Sequence, residues 1–509
     1  MLPGQLHSNP MKSTTARQSG NKADSQQLPP AGKFLHRALS SVSWLGWRAV
    51  AAVLGGIVLR LWMRHAFPQP DIDAQIYGDM ARNLLQHGQF AVTASDGSLH
   101  STIMRLPGYP LFIAAVYALF GVGNLLAVFY AQIAVELGAC LLLADFVRRT
   151  VSLRAGYNTL WIATLCPFTA IYTGAGLAES VTISAIMAAL WALQRHQDWA
   201  GIAHTGSPTA RRWALVFLLL FTAAISFAAL ARPDGALVAV ALWPALLFSR
   251  PAGMRFKPAF RRAILCGLLA VSPFAVWTVR NWQVFHIFEP LAPRYATDPG
   301  EPTFPGWERW TRSWCLDFTC TYEVYWNGND DLLDFNNMPA WAFDSPDERA
   351  RTAQLFADYN LTKTLSDDID ARFGALADER NAHHPWRTHL FLPIGRFLDM
   401  AFRPRVENMP IDLHWWEYSK HYAETRFSYA YGALNLLLYG LAIVGIGLRP
   451  KYWPYMAAYI LMRSLMLLDV EAPECRYTLE FFPVVFALAG PGLWRIFRRK
   501  PQLAATSGA

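Results

Sequence analysis

Eleven apolar runs dominate this sequence, at about 46–64, 106–120, 124–147, 156–173, 177–194, 213–231, 234–249, 262–280, 428–447, 452–468 and 477–497. Most approach the ~20 residues that a helix needs to cross a hydrocarbon layer. Backbone groups in lipid must be satisfied inside the segment, so such runs read as helices. Composition agrees: 53% of the residues are hydrophobic and only 16% are charged, against about 25% charged in soluble domains. The expected class is an all-α polytopic membrane protein. A net charge of +8 would suggest nucleic acid in a soluble chain. Here Lys and Arg gathered in cytoplasmic loops account for it, and no nucleic-acid partner is expected.

Charge between the runs sets an expected topology. Basic clusters follow the third run (Arg148, Arg149, Arg154), the fifth (Arg195, Arg211, Arg212), the seventh (Arg250, Arg255, Lys257, Arg261, Arg262), the ninth (Arg449, Lys451) and the last (Arg495, Arg498, Arg499, Lys500). If all eleven runs crossed from a cytoplasmic N-terminus, most clusters would fall outside, against the positive-inside bias. If the run 106–120 does not cross, every cluster falls inside. That run is short and opens with Pro107 and Pro110, which suits an interfacial segment. The expectation is therefore about ten transmembrane helices, both termini cytoplasmic, and one outer juxtamembrane helix.

The organisation follows. Residues 1–40, rich in Ser, Gln, Pro and Lys, read as a disordered cytoplasmic tail without a cleavable signal. Residues 41–285 form a transmembrane core, with an acidic first outer loop at 65–105 and the juxtamembrane helix at 106–120. Residues 286–426 read as a small, mainly helical extracytoplasmic domain, 427–500 as the C-terminal transmembrane helices and 501–509 as a cytoplasmic tail. Within the outer segment, Ser345 and Glu348 form a capping-box-like start for helices over 345–380, and 386–402 is basic and amphipathic, suited to a membrane surface. Cys140, Cys166 and Cys266 lie in apolar runs and read as packed small hydrophobes. Cys315 and Cys320 lie in a polar stretch; a small-loop disulfide fits if it is extracytoplasmic, although spacing alone does not fix its geometry.

The stretch DIDAQIYGDMARNLLQHGQF, 71–90, is the first outer feature. Ile76, Tyr77, Met80, Ala81, Leu84 and Leu85 recur at helical spacing, with Gln75, Asp79, Arg82, Asn83 and Gln86 on the other face. Gly88 is the expected C-cap. Asp71 and Asp73 stand at the positive N-terminus of this helix. Capping occupies one acid and leaves the other without a structural task. Other ionisable residues share this side: Arg105, Glu179, Arg232, Asp234, Arg280, Glu474 and Arg476. Each alone reads as a snorkelling end charge. Together, acids that can take a proton and arginines that can hold a phosphate through forked hydrogen bonds suit transfer from a lipid phosphate. There is no P-loop, dinucleotide fingerprint, HExxH, CxxC or GxSxG, so nucleotide, zinc-protease, redox and esterase chemistry lack support.

In order along the chain, DIDAQIYGDMARNLLQHGQF, MRLPGYPLFIAAVYALFG, AGLAESV, ARPDG, VRNWQVF and PECRYTLEFFPVVFAL resemble the polytopic C-type glycosyltransferases, the group that includes bacterial aminoarabinose transferases and protein O-mannosyltransferases. The likeness covers about 46–285 and, more weakly, the last spans; Leu106 replaces the first Pro of the family's Arg-Pro-Pro-Gly-Tyr-Pro segment. It implies a polyprenyl-phosphate-linked sugar donor, no nucleotide sugar and an envelope acceptor arriving from the outer face of a bacterial inner membrane. By position it implies Asp73 as catalytic base, preferred over Asp71 for its spacing to Tyr77. Arg105 and Arg476 would contact the donor phosphate, and Tyr77, Tyr109, Glu179 and Arg232 would shape the site of an inverting displacement. The resemblance fixes no cofactor, and a divalent cation is compatible with the paired acids. A transporter or lipid flippase would share the spans, but should carry ionisable groups near mid-bilayer and a repeated half; here the charges are expected at one face. An envelope polysaccharide polymerase or ligase would share the donor. The outer sequences GWERWTRSW and EVYW match no motif with an attached function.

Overall fold

A computed structural model describes residues 44–68, 72–328 and 331–498. Asp71 lies outside the described residues. Apart from a two-stranded antiparallel hairpin, Ala91–Thr93 with Leu99–Ser101, the regular structure among them is helical. Among the described residues, six helices are long and apolar enough to cross a membrane: Trp47–Ala66, Leu125–Thr150, Pro208–Ala231, Phe256–Phe285, Tyr422–Ile446 and Cys475–Phe497, the last opening with a 3-10 turn.

All eleven apolar runs are helical, but several fall short of an unbroken span. The run 156–173 divides into Leu153–Thr164, Pro167–Ala170 and Ile171–Gly174. Pro167 has no N–H to continue the ladder, and it biases Cys166 towards extended backbone; Cys166 has φ −69° and ψ 115°. The run 234–249 divides at Pro244 into Ala236–Leu242 and Ala245–Phe248. Glu179–Ala203 is long enough but carries Glu179, Arg195 and Asp198. These helices close around one core that includes Ala139, Leu143, Ala163, Leu190, Phe221 and Phe486. Its many alanines let backbones approach closely.

Charge also lies inside the apolar runs, which the reading of span-end charges did not include. Arg60 and Glu136 form a fully buried pair between Trp47–Ala66 and Leu125–Thr150, Nε to Oε2 at 3.1 Å. Arg60 also donates to the carbonyls of Gly56 (3.1 Å) and Thr164 (2.7 Å). A buried charge persists when such partners replace its hydration.

The first-loop helix spans Ile72–His87 and stops at Gly88, whose φ of 67° suits glycine. Its second face is not simply solvated. Asn83 is buried and donates to the Ala91 carbonyl (3.0 Å) and Thr93 Oγ1 (3.1 Å), while Asp79 accepts from the Thr93 N–H (2.6 Å). The hairpin lies on that face and explains why polar residues line it. The juxtamembrane helix is Gly108–Phe120.

The segment after Phe285 builds a second, separate core from Trp307, Trp310, Trp314, Leu355, Phe356, Tyr359, Phe373 and Leu376. The tryptophans of GWERWTRSW thus serve packing. Helix Pro346–Thr362 begins as expected: the Glu348 N–H donates to Ser345 Oγ (3.1 Å) and Glu348 Oε2 accepts from the Asp344 N–H (2.6 Å). Helix Asp367–His383 follows. The amphipathic stretch 386–402 is a π turn, Arg387–Phe391, continued by helix Leu392–Phe402. Cys315 and Cys320 are disulfide-bonded, and Cys140, Cys166, Cys266 and Cys475 are free and buried.

Candidate functional site

Asp73 sits in the first turn of the first-loop helix, where unsatisfied N–H groups favour a carboxylate. The turn after Ile171–Gly174 presses on this helix start. A Cβ on Gly176 would come within 2.2 Å of the Ala74 Cβ, so only glycine permits that approach. Arg105 follows a tethered strand: Thr102 Oγ1 and the Ile103 N–H both donate to Asp298 Oδ1, at 3.1 and 2.7 Å. Arg476 arrives from the other end of the chain, in the 3-10 turn Cys475–Phe481.

These three residues meet. Arg105 Nη2 lies 3.4 Å from Asp73 Oδ1, and Arg476 Nη1 lies 3.4 Å from Asp73 Oδ2. The carboxylate bridges two guanidiniums, one from 32 and the other from 403 residues further along the chain. Arg476 is also paired with Glu474, Nε to Oε2 at 2.6 Å, and Glu474 accepts from the Tyr477 hydroxyl. Arg105 stands over the Tyr77 ring at 5.9 Å, and Tyr77 meets Tyr109 edge-on at 4.9 Å. Burial raises the Tyr77 hydroxyl above its ordinary value, against the opposing effect of Arg105. Tyr109 is raised further by burial. It donates to Gln132 Oε1 (2.7 Å), which fixes the juxtamembrane helix to Leu125–Thr150.

Two cavities adjoin this junction. One, of about 370 Å³, is lined by Tyr77, Glu179, Arg232, Ala292, Pro293 and Tyr477. The other, of about 520 Å³, is lined by Tyr172, Phe318, Tyr322, Trp326, Glu407 and Asn408. Asp73, Arg105, Leu177, Trp326, Glu474 and Arg476 border both. Pockets of this size hold small ligands or their headgroups.

Behind the first cavity lies a denser ionic cluster. Arg232 pairs with Glu179, with Asp234 (3.2 Å) and with Glu480 (3.2 Å). Arg463 joins Asp234 (2.8 Å) and Glu480 (2.6 Å) and donates to the Tyr477 carbonyl (2.7 Å). Burial works against the Arg232 charge, but its three carboxylates outweigh it and hold the group well above its ordinary value.

Of the residues singled out from sequence, Asp73, Arg105, Arg476, Tyr77, Glu179 and Arg232 converge around the cavities, with Tyr109 immediately behind Tyr77. Arg280 does not. It donates to the carbonyls of Thr102 (2.9 Å) and Phe90 (2.7 Å) and anchors the hairpin. Arg463, Glu480, Glu407 and the aromatic wall were missed. The first two had a legible signal, since Arg463 in YILMRSLML and Glu480 in YTLEFF are opposite charges inside neighbouring apolar runs, and each requires a partner. Among the described residues, no group of three or more His, Cys, Asp or Glu side chains is placed to hold a metal ion.

No protein-family model matches the chain, and no curated protein matches it. Among solved structures it is similar to ArnT from Cupriavidus metallidurans in the apo state, at 15% identity over 87% of this chain and 76% of that one, with a TM-score of 0.37. It is similar to the same protein bound to undecaprenyl phosphate, at 16% identity over 89% and 78%, TM-score 0.36. It is also similar to the Archaeoglobus fulgidus oligosaccharyltransferase tethered with an acceptor peptide, at 11% identity over 91% of this chain but 49% of that one, TM-score 0.48.

Proposed function

We propose that this chain is a membrane glycosyltransferase that moves a sugar from a polyprenyl-phosphate carrier to an envelope acceptor, with Asp73 as base and Arg105 and Arg476 as phosphate ligands. One observation supports this most: the Asp73 carboxylate spans two guanidiniums, 3.4 Å from each, at the border of two cavities. Two forked cations around one anion form a ready site for a phosphate. When the donor phosphate takes the arginines, Asp73 is released from them and free to accept a proton.

The step is an in-line displacement. The acceptor O–H or N–H gives its proton to Asp73, and the acceptor atom bonds to the anomeric carbon. The carbon–oxygen bond to the phosphate breaks, and its electron pair leaves with the carrier. Developing charge on the leaving oxygen is met by Arg105 and Arg476, held ready before reaction. Configuration at carbon inverts. The outer location, the count of about ten spans and the cytoplasmic termini rest on the positive-inside bias of the basic clusters.

The test is mass spectrometry of envelope glycans from cells with the gene, without it, and complemented with Asp73→Asn. The reading expects one acceptor to gain a single sugar mass only with the native gene. Transfer that persists with Asp73→Asn removes the base assignment. Identical glycans with and without the gene remove the whole reading.

A further inference from the structure

The second cavity has a wall that the transfer chemistry leaves unused. Phe318, Tyr322 and Trp326 recur every four residues through Phe318–Cys320 and the π turn Thr321–Tyr325. Their rings form one group, with centroids 6.2 Å apart for Phe318 and Tyr322, and 5.7 Å for each of the other two pairs. Phe318 is buried, but Tyr322 is 52% and Trp326 43% exposed, although both border the cavity. Beyond their packing on one another, these two rings keep open surface beside a charged site.

This wall is firmly held. Asp317 Oδ1 caps the turn by accepting from the Cys320 N–H (3.2 Å), and Cys315 is bonded to Cys320. Thr321 Oγ1 donates to the Pro473 carbonyl (3.0 Å), one residue before Glu474. Arg403 lies over the Phe318 ring at 5.9 Å. The rings are therefore fixed to the loop that carries Arg476.

The same cavity presents a different chemistry through Tyr172, Glu407 and Asn408. Glu407 Oε2 is buried with no hydrogen-bond partner among the described residues, while Oε1 meets the Tyr172 hydroxyl at 3.5 Å and the Arg405 and Arg403 charges lie near the carboxylate. A buried acceptor without a donor is costly unless a ligand supplies one. The cavity thus combines flat aromatic surface, an acceptor in want of a donor, and Asp73 at its border. A polyprenyl tail does not suit it, because Asp73, Arg105, Glu407, Glu474 and Arg476 would be desolvated against hydrocarbon. A pyranose does. One face of the ring is C–H surface, attracted to the negative face of an aromatic ring, and its edge carries hydroxyl donors.

We propose that this cavity is a sugar-ring subsite, with the ring stacked on Tyr322 and Trp326 and a hydroxyl or amino group donating to Glu407. It deepens the transfer reading and rests on that reading for the source of the ring, which is either the donor's sugar or an acceptor glycan.

The experiment uses the full chain in lipid nanodiscs. Saturation-transfer NMR reads binding of methyl glycosides of neutral, N-acetylated and amino sugars, and titrations compare bare with sugar-loaded undecaprenyl phosphate. At least one sugar-bearing probe is expected to bind, to weaken about tenfold or more in Trp326→Ala, and to recover in Trp326→Phe, which keeps a flat ring; Glu407→Gln changes the ranking among sugars. Weakening for the sugar-loaded carrier relative to the bare carrier assigns the ring to the donor. Weakening for the free glycoside, with bare carrier already bound, assigns it to the acceptor. Affinities independent of Trp326 in a variant with unaltered melting, or no binding by any sugar-bearing probe, overturn the proposal. Asp73→Asn separates the two readings: turnover retained there, with Trp326-dependent sugar binding, removes the base assignment and keeps the subsite.

Discussion

Two charged clusters lie on either side of Tyr477 and are built differently. Around Arg463 and Glu480, both fully buried, the ion pairs to Arg232, Asp234 and each other run from 2.6 to 3.2 Å. Around Asp73, the side chains of Asp73, Arg105 and Arg476 are 32%, 28% and 26% exposed, and both contacts to the acid are 3.4 Å long. The first arrangement cannot lose a member without stranding a charge away from water. In the second, Arg476 is held by Glu474 at 2.6 Å, but the two contacts to Asp73 are solvated and loose and so hold little stability. Those contacts can be exchanged for an incoming phosphate at small cost. Tightness marks the scaffold, and slack marks the place where chemistry is proposed.

The sharpest way to break this contrast is Asp73→Asn. Sugar transfer should fall by about 10²–10⁴, the usual worth of a general base, while the melting free energy changes by no more than about 1 kcal/mol. Glycan mass spectrometry and thermal unfolding of the purified protein read the two effects. Large destabilisation with residual transfer would make Asp73 a scaffold residue instead.

Glu480→Ala should do the opposite. It leaves Arg463 and Arg232 partly unmatched inside the protein and should cost about 3–5 kcal/mol, seen as a lower melting midpoint and poor yield. Replacing both Arg463 and Glu480 with Met should recover much of that loss, since apolar residues can substitute for a complete buried pair. A double variant as unstable as Glu480→Ala would mean that Asp234 and Arg232 also depend on Arg463.

The contrast also explains what the sequence made legible. The helix 72–87, its stop at Gly88 and the Ser345 cap follow from local spacing and capping chemistry, which survive any tertiary setting. The Asp73–Arg105–Arg476 grouping could be anticipated because charges at span ends share one face. Arg463 with Glu480, and Arg60 with Glu136, depend on which helices are neighbours, and a single run does not state that. The breaks at Pro167 and Pro244 were written in the sequence, but hydropathy averages over them. The wall of Phe318, Tyr322 and Trp326 had a four-residue spacing but no apolar run to draw attention to it.

Arg105→Lys and Arg476→Lys refine the loose cluster. Each keeps a charge but loses the planar fork. Each should weaken retention of undecaprenyl phosphate by about 1.5–3 kcal/mol, the worth of a hydrogen bond to a charged group, measured by titration in nanodiscs. Melting should stay near that of the native protein. Equal binding by both lysine variants would assign the phosphate to other cations.

Asp399, on helix Leu392–Phe402, belongs to neither cluster and gives the smallest effect. It is mostly buried, and Arg403 is 3.8 Å away, too far to compensate. Burial pushes its carboxyl up to about 7, with Asp317 adding to the rise and Arg403 opposing it. An acid raised on folding binds its proton more tightly in the native state than in the unfolded chain. Between its ordinary value of 3.8 and about 7, the native state therefore holds more protons, and stability falls as pH rises. Above about 7 both states are ionised and this contribution is flat. Asp399→Asn should raise the melting midpoint at pH 8 by a few degrees and make the decline between pH 4 and 7 shallower, with Glu308, also raised to about 7 by burial, keeping part of it. An unchanged pH profile in that variant would show that Asp399 keeps its charge through a partner that stabilises it, as in the buried cluster.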